Sequence, residues 1–107
     1  MGLFDSILSK IQQVGLEAQK AQMEAEDWDV MTICRKLQRT SSVITSNGYI
    51  KTLQLKCKKM NDWELKNTFD HAYDYKNVKA CNAMMKIMEE RGLAYKDDNG
   101  RIVRKYH

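Results

Sequence analysis

A helical stripe near the C-terminal end narrows most sharply what this chain can fold into. Val78, Cys81, Met84, Met85 and Met88 recur at three- and four-residue intervals, the spacing of one buried helix face. Glu89, Glu90 and Arg91 make a polar last turn, and Gly92 follows where a left-handed residue ends a helix at least cost. Leu93 and Tyr95, then Asp98-Asn99-Gly100, then Ile102 and Val103 predict two short strands joined at 97–100 around an Asn-Gly pair. Upstream, Asn61 and Glu64 have capping-box spacing and start a helix over 61–71, followed by a tight corner and the striped helix 76–91.

The rest of the chain reads as helices too, since it has no proline to break them. Residues 3–23 form an amphipathic helix with Leu3, Phe4, Ile7, Leu8, Ile11, Val14, Ala18 and Ala21 on one side. A second helix is expected over 27–39, striped by Trp28, Met31, Cys34 and Leu37, with Arg35, Lys36 and Arg39 toward its C-terminal end. Ser46-Asn47-Gly48 reads as a turn, preceded by Val43 and Ile44 as a short strand or buried loop. A third helix follows over about 49–59, although Leu53–Lys58 also alternates as a strand would. Asp27-Trp28-Asp29-Val30 and Asp62-Trp63-Glu64-Leu65 echo each other, and shared helix-start chemistry explains two such copies. At 107 residues the expectation is one domain, 1–107, with a modest core. The expected fold is mainly α: a compact bundle of about five helices with a C-terminal β-hairpin.

Charge is unevenly placed. Residues 1–50 carry five Lys/Arg against six Asp/Glu, whereas residues 51–107 carry thirteen against eight, so the basic half permits an acidic partner. Cys34, Cys57 and Cys81 are widely spaced in apolar helical patterns and read as buried free thiols. With His71 the only histidine before His107, neither a metal site nor a cofactor is expected. Phosphate-loop, nucleophile-elbow and dinucleotide motifs do not occur, and Asp97-Asp98-Asn99-Gly100 is too short for a calcium loop. His71 with Asp70 or Asp74, and Cys57 or Cys81 as nucleophile, offer little for catalysis, so no enzymatic activity is expected. No apolar run is long enough to span a bilayer, and a cytoplasmic location is expected. Gly2 with Ser6 fits the loose myristoylation pattern, but the few lysines opposite the apolar stripe favour packing over membrane attachment.

The order helix, corner, helix, hairpin over residues 61–106 resembles winged helix-turn-helix domains. The resemblance implies a DNA-binding protein, such as a transcriptional regulator, with 76–91 as recognition helix and 94–103 as wing. Lys76, Asn77, Lys79 and Asn82 would then meet bases or phosphates, and Lys96, Arg101, Arg104 and Lys105 would meet the backbone or a minor groove. The same resemblance admits a homodimer through the N-terminal helix. The alternative is an interaction module that holds a protein partner through Leu3, Phe4, Ile7, Leu8 and Ile11 or through Met84, Met85 and Met88.

Overall fold

The computed structural model describes residues 3–106, with side chains over 15–106. Five helices are followed by a two-stranded antiparallel hairpin: α1 Leu3–Glu26, α2 Val30–Arg39, α3 Val43–Lys58, α4 Asp62–Asp74, α5 Val78–Glu90, β1 Ala94–Lys96 and β2 Ile102–Arg104. Helical bundle and hairpin agree with the expected class. Leu3, Phe4, Ile7, Leu8 and Ile11 fall outside the described side chains, and Gly2 falls outside the described residues.

Capping side chains set most helix starts. Asp29 accepts from the Thr32 N–H at 2.7 Å, so α2 begins at Val30 rather than at 27, and Trp28 stands before the cap. Ser42 accepts from Thr45 N–H and starts α3 at Val43. Asn61 and Glu64 exchange both capping-box bonds at the head of α4, as their spacing predicts. Trp63 lies inside α4, 73 % exposed, whereas Trp28 lies outside α2, so the two Asp-Trp segments are not equivalent in the fold.

The largest departure from the sequence reading is α3. Val43 and Ile44 form its first turn and Ser46-Asn47-Gly48 runs straight through it, where a turn was expected. Packing against α1 explains the glycine. A Cβ added at Gly48 would lie 2.4 Å from the Ala18 carbonyl oxygen and 2.7 Å from the Ala21 Cβ. Thr52 Oγ1 donates to the Gln22 carbonyl at 2.9 Å, and Lys56 Nζ to the Glu26 carbonyl at 2.9 Å. These pairs advance together along both helices, so α1 and α3 run side by side in the same direction, with α2 as the return. The contact is built from Ala18, Ala21, Ala25, Gly48 and Thr52, whose small size lets the backbones approach.

Helix α5 is the centre of the core. Ala80, Cys81, Ala83, Met84, Met85, Ile87 and Met88 are buried on it, and α2, α3, α4 and β1 all pack against it. Ile33, Leu37, Leu53, Leu65 and Phe69 complete the interior from the surrounding helices. Val78, expected in the buried stripe, instead points outward and is 66 % exposed. Gly92 has φ 69°, with Leu93 N–H bonded to the Met88 carbonyl at 2.8 Å, the expected left-handed stop. The hairpin pairs Ala94 with Arg104, Tyr95 with Val103 and Lys96 with Ile102.

Gly15 and Gly48 are both helical, and the contrast between them tests the packing. A Cβ at Gly15 meets nothing within 4 Å, so Gly15→Ala should raise unfolding free energy by up to about 1 kcal/mol through helix propensity. Gly48→Ala should lower it by about 1–3 kcal/mol despite the same propensity gain, because α1 must move away. Urea denaturation of the two variants measures both, and equal effects would contradict the close approach.

Candidate functional site

The corner between α4 and α5 is three residues long, and each has a separate task. Tyr75 ends α4, Lys76 takes a left-handed conformation with φ 56°, and Asn77 caps α5. Asn77 N–H bonds to the Ala72 carbonyl at 2.9 Å, closing a helix stop of the kind glycine usually makes. Lys76 is the only described non-glycine residue with positive φ, a conformation that costs a side chain roughly 1 kcal/mol.

Asn77 is the first of the proposed DNA contacts to be reassigned. It is 4 % exposed, its amide donates to the Cys34 carbonyl of α2 at 2.9 Å, and its oxygen accepts from Ala80 N–H at 3.2 Å. A buried residue with these bonds ties the corner to α2 and has no face left for a base. Lys79 Nζ donates to the Thr40 carbonyl at 2.6 Å, at the C-terminal end of α2 where a cation suits the helix dipole. Arg104 pairs with Asp70 at 2.9 Å and lies over the Tyr73 ring at 4.2 Å, while the Tyr106 hydroxyl donates to the same Asp70 oxygen at 2.6 Å. That cluster fastens the hairpin to α4. The carboxylate holds the Arg104 guanidinium firmly protonated, and burial raises the Tyr106 phenol, with its bond to Asp70 adding to the effect. Lys105 stands beside the Tyr95 ring, 5.6 Å from its centroid.

The remaining four candidates come together. Lys76, Asn82, Lys96 and Arg101 line a continuous groove between the outer face of α5 and the hairpin. Tyr73, Val78 and Ile102 form its floor, and Asp74 and Asp97 also border it. The Asp97 carboxylate is turned into the hairpin, where it accepts from the Asn99 and Arg101 N–H groups at 3.0 and 2.9 Å. Among the described residues, the side chains of Lys76, Lys96 and Arg101 take part in no hydrogen bond or ion pair, so they are available to an incoming group.

Met84, Met85 and Met88 are core residues, and the adaptable surface considered for them is filled by the protein's own helices. Cys34, Cys57 and Cys81 are buried and free, as their surroundings in the sequence suggest. Burial pushes the Cys57 thiol up to about 12, and Cys34 and Cys81 up to about 11. Sequence reasoning missed Arg91, which donates to the Met60 and Lys58 carbonyls at 2.8 and 3.1 Å and pairs with Asp62 at 3.2 Å. Its position one residue before the Gly92 stop gave no signal of a tie to α3. Among the described residues no group of His, Cys, Asp and Glu is arranged to hold a metal, and no helix is long and apolar enough to cross a membrane.

Comparison of the chain with protein-family models, with curated proteins and with solved structures gives no match.

Two measurements follow from these placements. Asn77→Ala should cost about 2 kcal/mol, combining a lost cap with the lost bond to the Cys34 carbonyl, and chemical denaturation reads the loss. The thiols give a pH test. Their folded values lie above the ordinary 9.0, so their stabilising effect is complete below pH 9 and is lost as pH rises through the range to about 11–12. Stability should decline over that window, and replacing Cys57 with Ala should flatten part of the decline.

Proposed function

We propose that this chain is a non-catalytic nucleic-acid-binding module that lays the α5–hairpin groove against duplex DNA. The observation that carries the reading is the convergence of Lys76, Asn82, Lys96 and Arg101 on one groove, drawn from the α4–α5 corner, from α5, from the end of β1 and from the residue before β2. Lysine and arginine supply phosphate contacts, and asparagine at an exposed helix position pairs with adenine edges. The sequence of α3, α4, α5 and hairpin follows the order of winged helix-turn-helix modules, in which the last helix enters the major groove. Asp97, which would oppose a phosphate, has its carboxylate engaged by the turn.

Lys76 adds a second kind of support. Its left-handed backbone is strained for a side chain, and the strain is retained where a cation faces the groove. Glycine there would ease the backbone and remove the charge.

A protein partner is the second reading, favoured by one observation: Val78 and Tyr73 leave the groove floor apolar and open. The two readings part on salt, because counterion release makes phosphate binding fall steeply with ionic strength.

Titration of fluorescent duplex DNA at low and near-physiological salt is the test. The intact chain should bind in the micromolar range or tighter and weaken with salt. The double variant Lys96→Glu, Arg101→Glu should lose binding and lower the salt slope by about one unit per lost phosphate contact. Lys76→Gly should weaken binding while raising stability by up to about 1 kcal/mol. Binding that ignores these changes, or no binding at low salt, would overturn the DNA reading. Selection from a random duplex pool then decides whether the contact is sequence-specific.

A further inference from the structure

We infer that a hollow between α2 and the α4–α5 corner is a binding site for a small aromatic carboxylate. This site is separate from the α5–hairpin groove and does not depend on what that groove holds. Helices α2 and α4 each pack on the core but touch one another only slightly, which leaves a partly enclosed space of about 350 Å3. That volume lies in the range of small-ligand pockets. Its surfaces are specific enough to name the ligand class.

The flat wall comes first. His71 and Tyr75, one helical turn apart, stack with ring centroids 4.5 Å apart and planes 27° from parallel. Both border the hollow, and Tyr75 is 68 % exposed, a large aromatic surface left to water. Met31 borders the same space from α2, offering a soft, polarisable surface suited to an aromatic ring. The floor is Ala72 with Asn77, whose amide is already bonded to Cys34 and Ala80, so a ligand body meets few unsatisfied polar groups there.

Charge selects the other half of the ligand. Among the described residues lining the hollow, Arg35 carries the only permanent charge; the Asp29 carboxylate that feels this charge caps α2 through Thr32 N–H and lies outside the lining. The one bond of the Arg35 side chain is a long 3.4 Å contact to Thr32 Oγ1, which leaves most of the guanidinium fork open. A single planar fork matches a single carboxylate in two parallel bonds. A flat apolar body carrying one carboxylate therefore satisfies the wall and the cation together.

The experiment titrates the full chain, labelled with nitrogen-15, with indole-3-acetate and with its neutral amide, indole-3-acetamide, following backbone amide shifts. The carboxylate should give saturable shifts confined to residues 31–38 and 68–77, and should bind more tightly than the amide. Arg35→Gln, at an exposed position, should weaken the carboxylate by about tenfold or more and leave the amide unchanged. Tyr75→Ala should weaken both. Absence of saturable shifts at millimolar probe, shifts centred elsewhere, or equal losses for the two probes in Arg35→Gln would each overturn the assignment.

Discussion

One buried side-chain amide holds the α4–α5 corner of this fold in place. Asn77 reaches across 43 residues to the Cys34 carbonyl while capping α5 through Ala80. Its two bonds fix three things at once: where α5 begins, how α2 lies against it, and which corner residues face outward. Lys76 then has no choice but the left-handed conformation, because α4 must stop and the next residue must be buried. Strain at Lys76 and burial at Asn77 are two parts of one device. It sends Tyr73, Asp74 and Lys76 to the α5–hairpin groove and His71, Ala72, Tyr75 and Asn77 to the hollow beside α2.

A second anchor sets the far wall of the groove. Asp70 receives both Arg104 and Tyr106, so a carboxylate on α4 holds the end of the hairpin. With Arg104 held there, the basic residues of the hairpin divide by role. Arg104 fastens β2, while Lys96 and Arg101, at the turn end of the hairpin, border the groove. The groove is therefore positioned by polar contacts at its edges, with an apolar helix behind it.

Much of this was legible in the residues, and the failures share a cause. Capping spacing located α4, the methionine stripe located α5, and Gly92 with the Asn-Gly pair located the stop and the hairpin turn, all from interactions within a few residues. Gly48 was misread because a glycine signals a turn locally, whereas here it answers to Ala18 and Ala21 on another helix. Asn77, Lys79 and Arg104 were expected on an exposed contact face by type and position. Their partners Cys34, Thr40 and Asp70 lie 43, 39 and 34 residues away, so nothing in their own segment reports them. Lys76, Asn82, Lys96 and Arg101 keep the open positions expected of them because no distant group claims them.

Among the described residues, three cations tie one helix to the end of another: Lys56 to the Glu26 carbonyl, Lys79 to the Thr40 carbonyl and Arg91 to those of Lys58 and Met60. Each acceptor is a main-chain oxygen, which every amino acid supplies. On the accepting side such a tie imposes a backbone position and no particular residue, so helix ends can change in sequence while their geometry is kept. The architecture is thus written largely in its donors, and two chains could share these joints with little likeness anywhere else.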